Sequence, residues 1–398
     1  MRNITGAPAE GDDFFERPRE LQRLLDELDS GANLRINAPR RVGKTSLVLR
    51  LCRAWAADRS GKAVFLNVED AADELSFLEK LLDELQSASL QPDRVTRCKL
   101  WLGKARKALG ISKIGVGMDL ELGDDSEGAP ATLGRAVESV FEGIEHARQP
   151  VLIAIDEMPE VLLALSHATD GRQRVARLLH WLRSLRQTYR QHIRWIFLGS
   201  IGLEGFVEER LLCKTINDLT AFVLDALSPE EAREFLDRLG QDNSLPLPPA
   251  VQDRILQRVG WALPHHLQIV FHALRDLGAA AVDESALDQA FASLLGPANL
   301  TQFDTWRQRL EEQFKVEDAT AAKAILTHLC RHPKGRTRSQ CLNALMHRNP
   351  YANSQAAEEQ LAWLLQMLQR DGYLLESQGR YGFRSFLLRD YWHRRYLA

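Results

Sequence analysis

The chain has 398 residues, 45% of them apolar, and carries 51 Lys and Arg against 54 Asp and Glu for a net charge of −3. That length exceeds one ordinary hydrophobic core and predicts two or three domains. The near balance of charge excludes a protein that is basic throughout but leaves local patches open.

In chain order, short β-branched or apolar runs alternate with helical periods: "NLRIN", "KAVFLNVE", "PVLIAIDE", "IRWIFLGS" and "TAFVLDAL". This alternation predicts a parallel sheet wrapped by helices. In "QRVARLLHWLRSLRQTYR", Val175, Leu178, Leu179, Leu182 and Leu185 form one stripe, as in a helix covering such a sheet. "ISKIGVGMDLELGDDSEGAP" has short alternating runs and Gly/Asp turn residues, and reads as part of a hairpin-like insertion near residues 97–130. From Ser228, an N-cap followed by acidic residues, the pattern is helical to about Leu295. "GPANLTQ" reads as a linker. Three helical stretches follow (about Ala319 to Arg331, Thr337 to His347, Ser354 to Arg370), then "GYLLES" and "YGFRS" as two strands joined by a turn, the order of a winged helix. The expected organisation is a core over 1–226, a helical lid over 227–298 and a winged-helix domain over 299–398.

The first chemical motif is "INAPRRVGKTSL". Gly43, Lys44 and Thr45 follow a strand and open a helix, as in the phosphate-binding loop G-x-x-x-x-G-K-[ST], but Ala38 stands where the first glycine belongs. Residues Pro39, Arg40, Arg41, Val42, Gly43, Lys44, Thr45 and Ser46 would form the cradle. Main-chain N–H groups wrap the phosphates, Lys44 reaches the β/γ oxygens, and Thr45 ligates Mg²⁺. The methyl group of Ala38 is tolerated if its φ stays negative. Arg40 and Arg41 can hold phosphate oxygens or reach a neighbouring subunit.

The second motif, "VLIAIDEM", is a buried strand ending in Asp156 and Glu157. At the carboxyl end of a central parallel strand, Asp156 would hold the Mg²⁺ shell and Glu157 would polarise the attacking water. Ser200, at the tip of "WIFLGS", can meet the γ-phosphate or that water, or can simply end the strand.

Together these residues resemble a P-loop NTPase of the additional-strand class, close to the prokaryotic, archaeal-type AAA+/STAND ATPases near the origin-recognition ATPases. "FFERPREL" resembles that family's opening box at Phe14, Phe15, Arg17, Glu20 and Leu21, with Glu16 and Pro18 departing from it. "PRRVGKTSL" matches its pair of arginines, "GWALPHHLQ" its lid motif, and "YGFRSFLLRDYW" the closing strand and helix of its winged-helix domain. The resemblance implies an α/β core with helices on both faces, an all-α lid and a winged-helix domain. It further implies ATP/ADP and Mg²⁺ as cofactors and slow hydrolysis coupled to a switch. Arg17 would line the base or ribose and Pro264 would close over the adenine. Arg210 falls where related ATPases present an arginine to a neighbour's γ-phosphate. As residues, Pro264 also suits a helix N-terminus and Arg17 a solvated helix start, while His265 and His266 suit a helix surface.

Between Ala319 and Ala357 there is no Asp or Glu, while Lys323, Arg331, Lys334, Arg336, Arg338 and Arg348 fall there. Such a stretch can contact duplex DNA phosphates, with Arg380 and Arg384 from the wing. Asn353, Ser354 and Gln355 open the presumed recognition helix, but Glu358 and Glu359 would repel DNA, so a protein partner is the other reading. The alternatives to a switch are a nucleotide-binding adaptor with little hydrolysis, or a DNA-binding regulator. Assembly into a nucleotide-dependent homo-oligomer is also open.

The five cysteines, Cys52, Cys98, Cys213, Cys330 and Cys341, are odd in number and never spaced C-x-x-C. They signal neither a disulfide framework nor a zinc site. No run reaches the roughly 18 to 20 apolar residues of a membrane helix, and the N-terminus lacks a signal-peptide core. A cytoplasmic location without a membrane partner is expected.

Overall fold

The five apolar runs of the first half become five parallel strands: β1 (Asn33–Asn37), β2 (Lys62–Asn67), β3 (Val151–Asp156), β4 (Ile193–Gly199) and β5 (Leu219–Val223). Their order is β2-β3-β4-β1-β5, so β4 stands between β1 and β3. This is the additional-strand arrangement of a P-loop NTPase fold. All six residues of β3 are buried. Because successive side chains point to opposite faces, both faces of the sheet are covered there.

The computed structural model describes residues 1–109, 132–199, 203–278, 282–297, 299, 301–347, 351 and 353–397. They divide into two units, one of Glu16–Arg40 and Lys44–Leu224, the other of Met1–Phe15, Arg41–Gly43 and Asp225–Ala398. Residues 1–15 thus cluster with the C-terminal part of the chain rather than with the core that the sequence assigns them to.

In the unit that holds the sheet, the helices are α1 (Pro18–Asp29), α2 (Lys44–Asp58), α3 (Glu74–Ser87), α4 (Pro92–Leu109), α5 (Leu133–His146), α6 (Met158–Ser166), α7 (Gly171–Thr188) and α8 (Leu203–Glu209). The stripe Val175, Leu178, Leu179, Leu182 and Leu185 on α7 is fully inside, in one cluster with Ile153 and Ile155 of β3 and Trp195 of β4. Asp73 starts α3 by accepting from the Ser76 N–H, while the Ser76 hydroxyl accepts from the Asp73 N–H, a reciprocal cap. Residues 97–109, expected within a hairpin-like insertion, are instead the second part of α4, where Cys98 and Leu102 are buried. The remainder of that expected insertion, 110–130, lies outside the described residues.

The other unit contains α9 (Pro229–Asp242), α10 (Pro249–Val259), α11 (Pro264–Asp276), α12 (Glu284–Leu294), α13 (Thr301–Gln313) and α14 (Val316–Cys330). There follow β6 (Arg336–Thr337), α15 (Arg338–Met346), α16 (Ser354–Arg370), β7 (Leu374–Ser377), β8 (Arg380–Phe383) and α17 (Phe386–Tyr396). The three strands form an antiparallel sheet in the order β6-β8-β7. Ser228 and Glu231 close a capping box at the start of α9, as the sequence signals.

The N-terminal arm packs on α9 and α11: Phe15 meets Phe235 edge to face at 5.3 Å, and the Asn3 amide donates to the Gln268 carbonyl at 3.1 Å. At the other end of this unit, Arg384 is held by Asp225. Its Nη2 donates to Oδ1 at 2.7 Å and Oδ2 at 2.5 Å, while the guanidinium lies 4.1 Å from the Trp261 ring centre. Trp261 Nε1 donates to the same Asp225 carboxylate at 3.2 Å. Gly260 has φ +72°, and a Cβ there would meet the Phe386 ring at 2.6 Å, so both backbone angle and space require glycine.

Among the described residues no helix is long and apolar enough to cross a membrane, and the five cysteines are free, four of them buried. Burial pushes the Cys52 thiol up to about 12, which keeps it unreactive.

Candidate nucleotide site

β1 delivers the chain to Ala38 and Pro39, and α2 begins at Lys44. Between them, Arg41 has φ +71° and Gly43 φ +92°. Nothing lies within 4 Å of a Cβ built on Gly43, so the backbone angle and not lack of room demands glycine there. Arg41 accepts a left-handed conformation that costs a non-glycine residue on the order of 1 kcal/mol. Alternating left-handed residues curl the chain so that consecutive N–H groups face one concavity, the geometry that receives anions. Ala38 is not among the residues with positive φ. Its methyl group is therefore compatible with the loop.

The acidic pair comes to this loop from β3. Although β4 intervenes, the Thr45 hydroxyl donates to Asp156 Oδ2 at 2.6 Å. Lys44 Nζ donates to Glu157 Oε1 at 3.3 Å and lies 3.9 Å from Asp156 Oδ1. Lys44 and Asp156 are buried, 6% and 1% exposed, so these charges act on each other through little water. Asp156 Oδ1 also accepts the Glu157 N–H at 3.0 Å. Glu157 is the N-cap of α6 in a left-handed conformation, φ 57° and ψ 35°, immediately before Met158 and Pro159. The sharp turn aims its carboxylate back toward Lys44 rather than along the helix.

A further acid, which the sequence did not single out, joins the group. Glu160, in the first turn of α6, pairs with Arg40 at 3.6 Å. Two rungs thus tie the loop to α6, Lys44 to Glu157 and Arg40 to Glu160. The three-residue spacing of Glu157 and Glu160, one helical turn, was the available signal.

The other expected site residues are placed as follows. Ser46 is buried on α2. Val42 is buried. Arg17 is buried and donates to Glu20 Oε1 at 2.7 Å, so it is not the solvated side chain of a helix start. Pro264 is the first residue of α11. His266 is buried and within 3.4 Å of the Ser385 hydroxyl, so it does not lie on a helix surface. Arg210 folds back over Phe206, its guanidinium 3.8 Å from the ring centre. Ser200 lies outside the described residues.

The donor set suits Mg²⁺. A hydroxyl and a carboxylate 2.6 Å apart supply hard oxygen ligands, and Mg²⁺ takes few such ligands, completing its shell with water and phosphate.

Residues 6–196 match the family model described as an AAA domain. The matched stretch spans the loop, the acidic strand and the start of β4. No curated protein matches the sequence. Among solved structures, a Walker-type ATPase of Pyrococcus abyssi is similar at 16% identity, covering 99% of this chain and 100% of that one with a TM-score of 0.64. The ORC2 protein of Aeropyrum pernix, described in ADPNP–ADP complexes, is similar at 12% identity, covering 98% of both chains with a TM-score of 0.56. At these identities the likeness is one of fold, and it extends beyond the matched residues to nearly the whole chain.

Proposed function

We propose that the protein is an ATP-binding, slowly hydrolysing molecular switch of AAA+/STAND type, which couples nucleotide state to a winged-helix output domain. The observation that carries the reading is the convergence of Lys44, Thr45, Asp156 and Glu157 at the carboxyl end of the sheet's central strands, with Thr45 and Asp156 at 2.6 Å. The proposed ligand is ATP or ADP with Mg²⁺, in keeping with the nucleotide complexes described for the ORC2 protein.

Bound at Thr45 and Asp156, Mg²⁺ would neutralise charge developing on the phosphate tail. Phosphate oxygens compete with Glu157 for the Lys44 ammonium. Once displaced, the Glu157 carboxylate is free to accept a proton from a water molecule as that water's oxygen bonds to the γ-phosphorus and the bond to the ADP oxygen breaks. Arg40 and Arg41 contribute guanidinium groups toward phosphate or toward a neighbouring copy. Arg17 and Pro264 are assigned to the base and ribose, and Ser200 to the γ-phosphate or the water.

The output reading rests on element order. Helix α14, short strand β6, helices α15 and α16 and the β7–β8 hairpin follow the winged-helix sequence, with β6 pairing on β8 as expected for that fold. Its target is DNA or a protein partner, and assembly is nucleotide-dependent. The experiment is calorimetry and sizing of wild type and Glu157→Gln with ADP and ATP in magnesium buffer. The variant should retain ATP, lose about 10²- to 10⁴-fold in hydrolysis, and alter assembly. Failure of the wild type to take up either nucleotide would end the proposal, and an indifferent Glu157→Gln would favour the adaptor.

A further inference from the structure

The cations of the acid-free stretch sort into two groups once folded. Lys323 pairs with Glu311 at 2.5 Å and Arg338 with Glu358 at 2.8 Å, both neutralised by neighbouring helices. Among the described residues no carboxylate pairs with Arg331 or Lys334, on the turn that follows α14, or with Arg336, the first residue of β6. Arg348 lies outside the described residues.

A fourth cation joins them from the hairpin. Strand register sets Thr337 opposite Arg380 and Arg336 opposite Tyr381. Gly335, with φ +73°, lets the turn press against β8 so closely that a Cβ there would lie 2.9 Å from the Tyr381 carbonyl oxygen and 3.3 Å from Arg380 Cβ. Arg380 pairs with no carboxylate among the described residues. By strand alternation it points away from Tyr381, whose hydroxyl engages Glu376. Arg336 donates to the His332 ring at 2.8 Å, and burial together with Arg336 and Arg331 holds that imidazole below its ordinary pKa. The histidine is thus an acceptor and adds no counter-charge. Arg331, Lys334 and Arg380 are exposed.

The opening of α16 is already occupied. The Asn353 side chain accepts the Ala356 N–H at 2.8 Å, Gln355 donates to Glu359 at 3.1 Å, and Glu358 holds Arg338. That end presents two carboxylates, which a phosphate backbone would repel.

We propose that the edge made by the α14–β6 turn and β8, rather than the α16 helix, is a duplex-DNA backbone site at which Arg331, Lys334 and Arg380 contact phosphates without reading sequence. Arg336, opposite Tyr381, lies on the other face of the strand pair; the three exposed like charges repel one another and gather counterions, and a phosphate backbone that binds them releases those ions. A protein partner would need apolar anchors at the centre of its contact. On this hairpin the exposed large apolar residue is Leu375, opposite Gly382, a single side chain and not the cluster such a contact needs.

This inference rests on the DNA limb of the proposed function and not on nucleotide chemistry. The test is fluorescence anisotropy of the full chain with a mixed-sequence duplex as salt is varied from about 50 to 200 mM. Wild type should show a log–log slope of about −2 to −3, for about three phosphates neutralised. Arg331→Ala/Lys334→Ala/Arg380→Ala should bring the slope close to zero and weaken binding at low salt at least about tenfold. Lys334→Glu alone should weaken it in the same direction. Arg394→Ala/Arg395→Ala, on α17, should leave the slope within about one of wild type. Thermal melts of the variants that overlay the wild type exclude misfolding. If wild type binds duplex and the triple variant binds with an unchanged slope, this edge is wrong although DNA remains the target. If wild type binds no duplex at low salt, or prefers poly-glutamate to duplex at equal charge, both this edge and the DNA reading fall, while nucleotide calorimetry still judges the ATPase.

Discussion

Thr45 at the first turn of α2 donates its hydroxyl proton to Asp156 at the end of β3, across the end of an intervening strand. A charge-assisted bond of this kind contributes about 1.5 to 3 kcal/mol. Thr45→Ala and Asp156→Asn should each weaken magnesium-dependent nucleotide binding by about tenfold or more. Thr45→Ser should stay close to wild type. Titration calorimetry with and without Mg²⁺ separates metal-dependent loss from general damage, and equal losses in both buffers would contradict the assignment.

The altered phosphate loop gives a second prediction, because Ala38 and Gly43 differ in φ. Ala38→Gly should change nucleotide affinity no more than about threefold, since the backbone there suits any residue. Gly43→Ala forces a methyl group into φ +92°, should cost at least about 1 kcal/mol, and should weaken nucleotide binding at least about fivefold. An Ala38→Gly variant that binds far tighter than wild type would show that the missing glycine does impair the loop.

Arg384 and Asp225 couple the start of α9's segment to the final hairpin. Asp225 is more than half exposed, so solvent reduces the ion pair itself to about 1 kcal/mol or less. Stacking on Trp261 adds on the order of 1 kcal/mol. A double-mutant cycle of Arg384→Ala and Asp225→Asn, read from urea midpoints, should give a coupling of about 1 kcal/mol that shrinks in high salt. Additive effects would remove the coupling.

His266 sets an acid limit on stability. Burial pushes its pKa from 6.5 down to about 4, with Arg41 acting in the same direction and a backbone bond to Trp261 opposing. Between those values the unfolded imidazole binds a proton that the folded one does not. Its contribution is therefore complete above about pH 6.5 and is lost as pH falls toward 4, by up to about 3 kcal/mol. In His266→Leu the fall in urea midpoint from pH 7 to 4.5 should be distinctly shallower. His265, also depressed mainly by burial, should leave some slope behind.

The sheet was legible because each strand is an apolar run bounded by turn residues, and β3 could be placed centrally because "VLIAID" has no polar face. The phosphate loop and acidic pair were legible because their chemistry is compressed into a few neighbouring residues. Glu157's left-handed turn was not, since nothing in "DEMPE" announces it. The two-residue strand β6 is too short to carry a period. Arg384, read as a wing residue facing outward, is held by an acid 159 positions away, a partner that only the folded chain can choose. His266 looked like surface because "PHHLQ" is polar. On α11, however, Leu267, Ile269, Val270 and Phe271 are buried beside it, which puts nearly every side of that helix inside.

The N-terminal arm carries a consequence for synthesis. Phe15 finds its cover on helix α9, which leaves the ribosome only after all five strands of the sheet have emerged. Until then that aromatic ring remains wet on a nascent chain, a sticky handle that favours chaperone capture and makes docking of the arm a long-range step in maturation.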